Sequence, residues 1–91
     1  MGAVTEAIRS KLSAAFSPAR LEVEDDSARH RGHAGATPGG ESHFNVVIEA
    51  QVFEGQSRIQ RQRAVHDALA EELAGPVHAL SLKALAPGDP D

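Results

Sequence analysis

Residues 44–85 read FNVVIEAQVFEGQSRIQRQRAVHDALAEELAGPVHALSLKAL, and the order of patterns within them decides the fold. Phe44, Val46 and Ile48 alternate with Asn45, Val47 and Glu49, the period of a strand with one apolar face and one mixed face. A turn is expected around Phe53–Ser57. Ile59, Val65, Ala68, Leu69, Glu72 and Leu73 then return at helical spacing, which predicts a helix from about Ser57 to Ala74. Ser57 is a natural N-cap and Gly75-Pro76 a natural stop. From Val77 to Leu85 the alternation resumes, with His78, Leu80, Leu82 and Ala84 on one face and Ala79, Ser81, Lys83 and Leu85 on the other. A strand, a long helix and a second strand make a crossover that is most easily parallel and right-handed.

Upstream, Val4, Ile8, Leu12 and Phe16 recur every four residues and form one stripe of an amphipathic helix that Ser17-Pro18 ends. Leu21 to Asp25 alternates apolar and acidic residues, the mark of a half-buried strand. Between Ala28 and Glu41 there are four glycines, one proline and no large apolar side chain. Such a segment buries nothing and is expected to be a surface loop joining two antiparallel strands. The whole reads as α+β, a helix, two strands, a helix and a strand, with a three-stranded mixed sheet and the helices packed on one face. One domain is expected over residues 1–85, followed by a tail, 86–91, expected to fray.

Composition narrows the chemistry. The 91 residues are 41% apolar and contain no run near the about 18–20 residues that cross a bilayer, so a single small soluble domain with no membrane role is expected. Charged residues Glu6, Arg9 and Lys11 interrupt the N-terminal stretch, unlike a secretory signal, and the expected location is the cytoplasm. There is no cysteine, so disulfides, thiol catalysis and thiolate metal ligands from this sequence are ruled out. Any metal must be held through nitrogen or oxygen, and five histidines, His30, His33, His43, His66 and His78, are the softest donors. A formal net charge of −4 disfavours a nucleic-acid backbone, and with neither Trp nor Tyr the aromatic platform for stacked bases is nearly missing. No nucleophile with a paired base, phosphate-cradling glycine loop or carboxylate pair with a site around it is visible, so an enzyme is not expected.

Three stretches in this order, Gly40-Glu-Ser-His-Phe44, Phe53-Glu-Gly-Gln-Ser-Arg58 with Arg61-Gln-Arg63, and Ala70-Glu-Glu-Leu73 with Val77-His-Ala-Leu80, resemble the BolA family. The resemblance runs from about Leu21 to Leu85 and implies a KH-like αββαβ fold, in agreement with the periodicity. One departure is visible: the family usually reads Arg-His-Arg where this sequence has Arg61-Gln62-Arg63.

The resemblance also implies a function. His78 matches the histidine of the family's Val-His-Ala motif, a ligand of an iron–sulfur cluster, and His33 lines up with the second, loop-borne ligand, with His30 as the alternative. Two imidazoles on one iron and thiolates on the other can ligate a [2Fe-2S] centre. A cysteine-free sequence supplies only the histidine half. The family implies that the thiolates come from a monothiol glutaredoxin with glutathione, and that the role is cluster assembly, transfer or iron regulation. No cluster is expected in the isolated protein, which would be a monomer or weak homodimer. Judged without the resemblance, His78 reads first as an ordinary histidine hydrogen-bonded within its own domain, and the His30/His33 pair as solvated. His43 reads as structural, and His66 as exposed.

Arg58, Arg61 and Arg63 crowd the start of the long helix, whereas Asp67, Glu71 and Glu72 fall toward its end, an order that opposes the helix dipole. The three arginines are therefore candidates for binding an acidic partner or phosphates. The plain alternative is a solvated face with Arg63 paired to Asp67 one turn on. A DNA-binding transcription regulator using a KH-like surface and the Arg58–Arg63 patch is the second functional reading; the Gly32-His-Ala-Gly35 match to a KH loop is textual only.

Overall fold

The structure, a computed structural model, describes residues 2–25 and 43–90. The first helix, α1, spans Ala3–Phe16 and buries Ile8 and Leu12 on the expected stripe. It ends on Ser17, whose φ of 45° is left-handed and whose N–H donates to Ser13 O. Two strands follow, β1 at Arg20–Asp25 and β2 at His43–Glu49. Between β2 and the long helix a single 3-10 turn, Gln51–Phe53, carries Phe53 fully into the core, and the chain reverses at Gly55, whose φ of 82° suits glycine.

The expected Ser57–Ala74 helix is broken into α2, Arg58–Ala68, and α3, Ala70–Ala74. Neither glycine nor proline marks the break. Leu69 is buried there, and its N–H is shared between the carbonyls of Val65 and His66, a local tightening that leaves the helical path for one residue. The start of α2 follows expectation: Ser57 accepts from the Gln60 N–H while the Gln60 side chain accepts from the Ser57 N–H, a reciprocal capping box.

The last strand, β3, runs Ala79–Leu85, two residues later than its pattern suggests. Val77 is buried in the core and its N–H donates to Glu72 O, so it closes the helix end and does not join the sheet. Strand order is β1-β2-β3, with β1 antiparallel and β3 parallel to the central β2. Phe44, Val46 and Ile48 point from β2 into a core shared with Ile8, Leu12, Phe53, Val65 and Leu69. The opposite face, with Glu22, Glu24, Asn45, Ser81 and Lys83, carries no helix among the described residues. The α+β reading with a three-stranded mixed sheet is therefore correct.

The expectation of a frayed tail needs correction as far as Pro90. Ala86 is buried, and Ala86-Pro87-Gly88-Asp89 closes a turn in which the Asp89 N–H donates to Ala86 O and Gly88 adopts φ 89°. Proline followed by a left-handed glycine is the signature of a type II turn.

Candidate functional site

His78 stands between a buried residue and a strand. Val77 behind it is packed in the core and tied to Glu72 O at 2.9 Å, and Ala79 ahead of it opens the ladder with β2, so its backbone is held on both sides. The imidazole is exposed and makes no hydrogen bond among the described residues. The helix end behind it is fixed in turn by Glu72, whose nearly buried carboxylate meets Lys11 of α1 at 2.8 Å. That hydrogen bond, aided by one from Glu71, raises the Lys11 pKa above its ordinary value.

Sheet register locates the other candidates. Asp25 pairs with Phe44, Phe44 with Leu80 and His43 with Ala79, so residues 26–42 leave and rejoin the sheet at the end where His78 precedes β3. His30 and His33 lie outside the described residues. His43 opens β2 as a near neighbour of His78 across the sheet, but the alternation of the strand assigns it to the face opposite Phe44. His66 is exposed on α2. Among the described residues no group of three or more His, Cys, Asp or Glu side chains could hold a metal ion. At this end of the sheet the described part of the molecule thus offers the exposed, backbone-anchored imidazole of His78 and no complete metal site, a donor set that fits one ligand of a shared centre.

The three arginines separate. Arg61 is only 16% exposed along its side chain and is engaged within the molecule: Nε donates to Gln56 O at 3.1 Å, and Nη1 donates to Ala84 O at 3.0 Å and to Asp89 Oδ2 at 2.8 Å. Arg58 and Arg63 are exposed and form no ion pair among the described residues, so the supposed Arg63–Asp67 pair is absent. Asp89 was missed as a partner, although the Pro87-Gly88 dipeptide before it is a turn signal that would have returned it toward the domain.

A family model of BolA-like proteins matches residues 12–89. The chain belongs to the BolA-like family. Human BolA-like protein 1 is 52% identical over 87 residues, covering 96% of this BolA-like chain and 61% of that protein. The chain therefore spans about three fifths of that relative's length. The DNA-binding transcriptional regulator BolA of Escherichia coli (strain K12) is 47% identical over 79 residues, 87% of this chain and 71% of that protein. Among solved structures, the BolA domain of SufE1 from Arabidopsis thaliana superposes with a TM-score of 0.83 at 41% identity, covering 96% of this chain and 95% of that one. The BolA-like match extends beyond Leu85 through the turn that carries Asp89.

Proposed function

We propose that this BolA-like chain is a non-catalytic adaptor that lends imidazole ligands to a [2Fe-2S] cluster shared with a monothiol glutaredoxin and glutathione. The observation that carries the reading is the exposed His78 imidazole on a backbone pinned by Val77 and Glu72, at the sheet end from which residues 26–42 depart. His78 is one ligand, and His33, or His30 in its place, is the other. A cluster held in this way supplies one-electron chemistry at a potential raised relative to four thiolates. This chain's part is to fix one imidazole and to exclude thiolates of its own, since it has no cysteine. Assembly, transfer or iron regulation is the task such a heterodimer serves.

A DNA-binding regulatory role is the second reading, favoured by the Escherichia coli relative's description. The net charge of −4 and the internal use of Arg61 weigh against it, leaving Arg58 and Arg63 as exposed cations of the patch.

Mixing the protein with a cluster-loaded monothiol glutaredoxin and recording visible absorption, circular dichroism and EPR tests the first reading. A new histidine-type spectrum, abolished by His78→Ala and reduced by His33→Ala or His30→Ala, is expected. An unchanged spectrum on mixing, together with DNA binding that weakens steeply as salt rises, supports the second reading instead.

A further inference from the structure

Among the described residues β3 is an edge strand, and its outer side is only partly closed. Leu85 O accepts from the Ala50 N–H across the sheet, so Leu85, Lys83 and Ser81 turn their backbone groups toward β2. Ala84, Leu82 and Leu80 therefore turn theirs outward. The C-terminal part of this edge is stapled by side chains: Arg61 Nη1 donates to Ala84 O, and Asp89 Oδ2 accepts from the Ala86 N–H at 2.9 Å. The amides and carbonyls of Leu80 and Leu82 have no partner among the described residues. Such a row is a template for another extended chain, and proteins that need no partner there usually blunt it.

Beside this edge lies a groove of about 440 Å3, with Arg58, Arg61 and Gln62 on the α2 wall, Leu82 to Leu85 on the other, and Pro90 at its end. Arg58 and Lys83, both exposed, border it without an ion pair among the described residues. Two uncompensated cations, Arg58 on the helix side and Lys83 on the open sheet face, flank one strand edge in a chain of net charge −4 and mark a local field of the opposite sign. Arg61 in the groove wall already binds one carboxylate, that of Asp89.

We infer that the outer edge of β3, from Leu80 to Leu82, is a docking site for an extended acidic peptide segment of a partner protein, which adds as a fourth strand with carboxylates toward Arg58 on one face and Lys83 on the other. A second copy of this chain fits worse, because pairing β3 with itself would bring Arg58 and Lys83 against their own counterparts. A phosphodiester chain offers no alternating donors and acceptors to match Leu80 and Leu82. The inference stands apart from the cluster reading, as it uses none of the histidines.

The test uses the whole protein and a fluorescein-labelled synthetic peptide of adjacent glutamate pairs spaced by valine and threonine, which puts carboxylates on both faces of an added strand. Three comparison probes are the same peptide with lysine for glutamate, the same peptide N-methylated at alternate amides, and single-stranded oligothymidylate. Binding is read by fluorescence anisotropy and by backbone amide shifts in NMR spectra. The expected result is binding of the acidic peptide with shifts centred on Leu80 and Leu82. It should weaken by roughly tenfold or more on N-methylation or in the Arg58→Glu/Lys83→Glu double variant, whose substitutions are both at exposed positions. The inference is overturned if N-methylation changes nothing, if the shifts lie away from β3, or if no peptide binds at millimolar concentration. Tighter binding of oligothymidylate, or self-association that shifts Leu80 and Leu82 without peptide, overturns it as well.

Discussion

Arg61 Nη1 lies 2.8 Å from Asp89 Oδ2 and also donates to Ala84 O, so one guanidinium joins the start of α2, the end of β3 and the C-terminal turn. The three segments meet at a point where the backbone alone leaves a carbonyl and an amide facing outward. Asp89 and Arg61 satisfy both, which is how the turn after β3 stays on the domain.

Arg61→Ala should destabilise the fold by about 1–3 kcal/mol, because Ala84 O and Gln56 O lose a partly buried donor. Urea denaturation of the two proteins measures the loss. Faster hydrogen exchange at Ala86 should accompany it, and unchanged exchange there would place the effect elsewhere.

Asp89 makes the same contact pH-sensitive. The Ala86 N–H, and after it Arg61, hold its carboxyl below the ordinary value of 3.8. A lowered pKa contributes stability that is present above the unfolded-state value and lost as pH falls through the folded-state value. The stability difference between the parent and Asp89→Asn should therefore be largest near neutral pH and shrink in strong acid. Paired denaturation curves across that range check the sign. For Lys11, with a raised pKa, the contribution is present below 10.5 and is lost as pH rises past it.

Ser57→Ala should cost about 1 kcal/mol, the usual size for an N-cap whose hydroxyl accepts from the N3 amide. The Gln60 side chain's bond to the Ser57 N–H remains available, so the loss should stay at the lower end when measured by thermal or chemical unfolding.

Ser17→Gly should raise stability by up to about 1 kcal/mol, since Ser17 holds a left-handed φ of 45° at the end of α1. The gain is offset in part by glycine's larger unfolded-state entropy. A lowered melting temperature would show that the Ser17 side chain matters more than its backbone strain.

His78→Ala should change stability by no more than about 0.5 kcal/mol, because the side chain is exposed and without a hydrogen bond among the described residues. A near-native melting curve is what allows any loss of a shared cluster spectrum to be assigned to the ligand. A large destabilisation would make His78 a structural residue.

Local periodicity by itself determined most of the fold: the stripe of Ile8 and Leu12, the alternation of Phe44, Val46 and Ile48, the Ser57 cap and the Gly75-Pro76 stop are all set by neighbours within a turn or a strand. The three quoted motifs likewise carried the family, because they are contiguous in the chain. Tertiary structure alone decided what depends on distant partners. Leu69 breaks the helix without a breaker residue in order to stay in the core, and Val77 leaves the strand for Glu72 O, which sets His78 ahead of the sheet. Arg61 looked like a free cation until the fold brought it to Ala84 and Asp89, 23 and 28 residues away in the chain. No spacing rule reports such a contact, since burial and hydrogen-bond satisfaction are settled only when the elements pack.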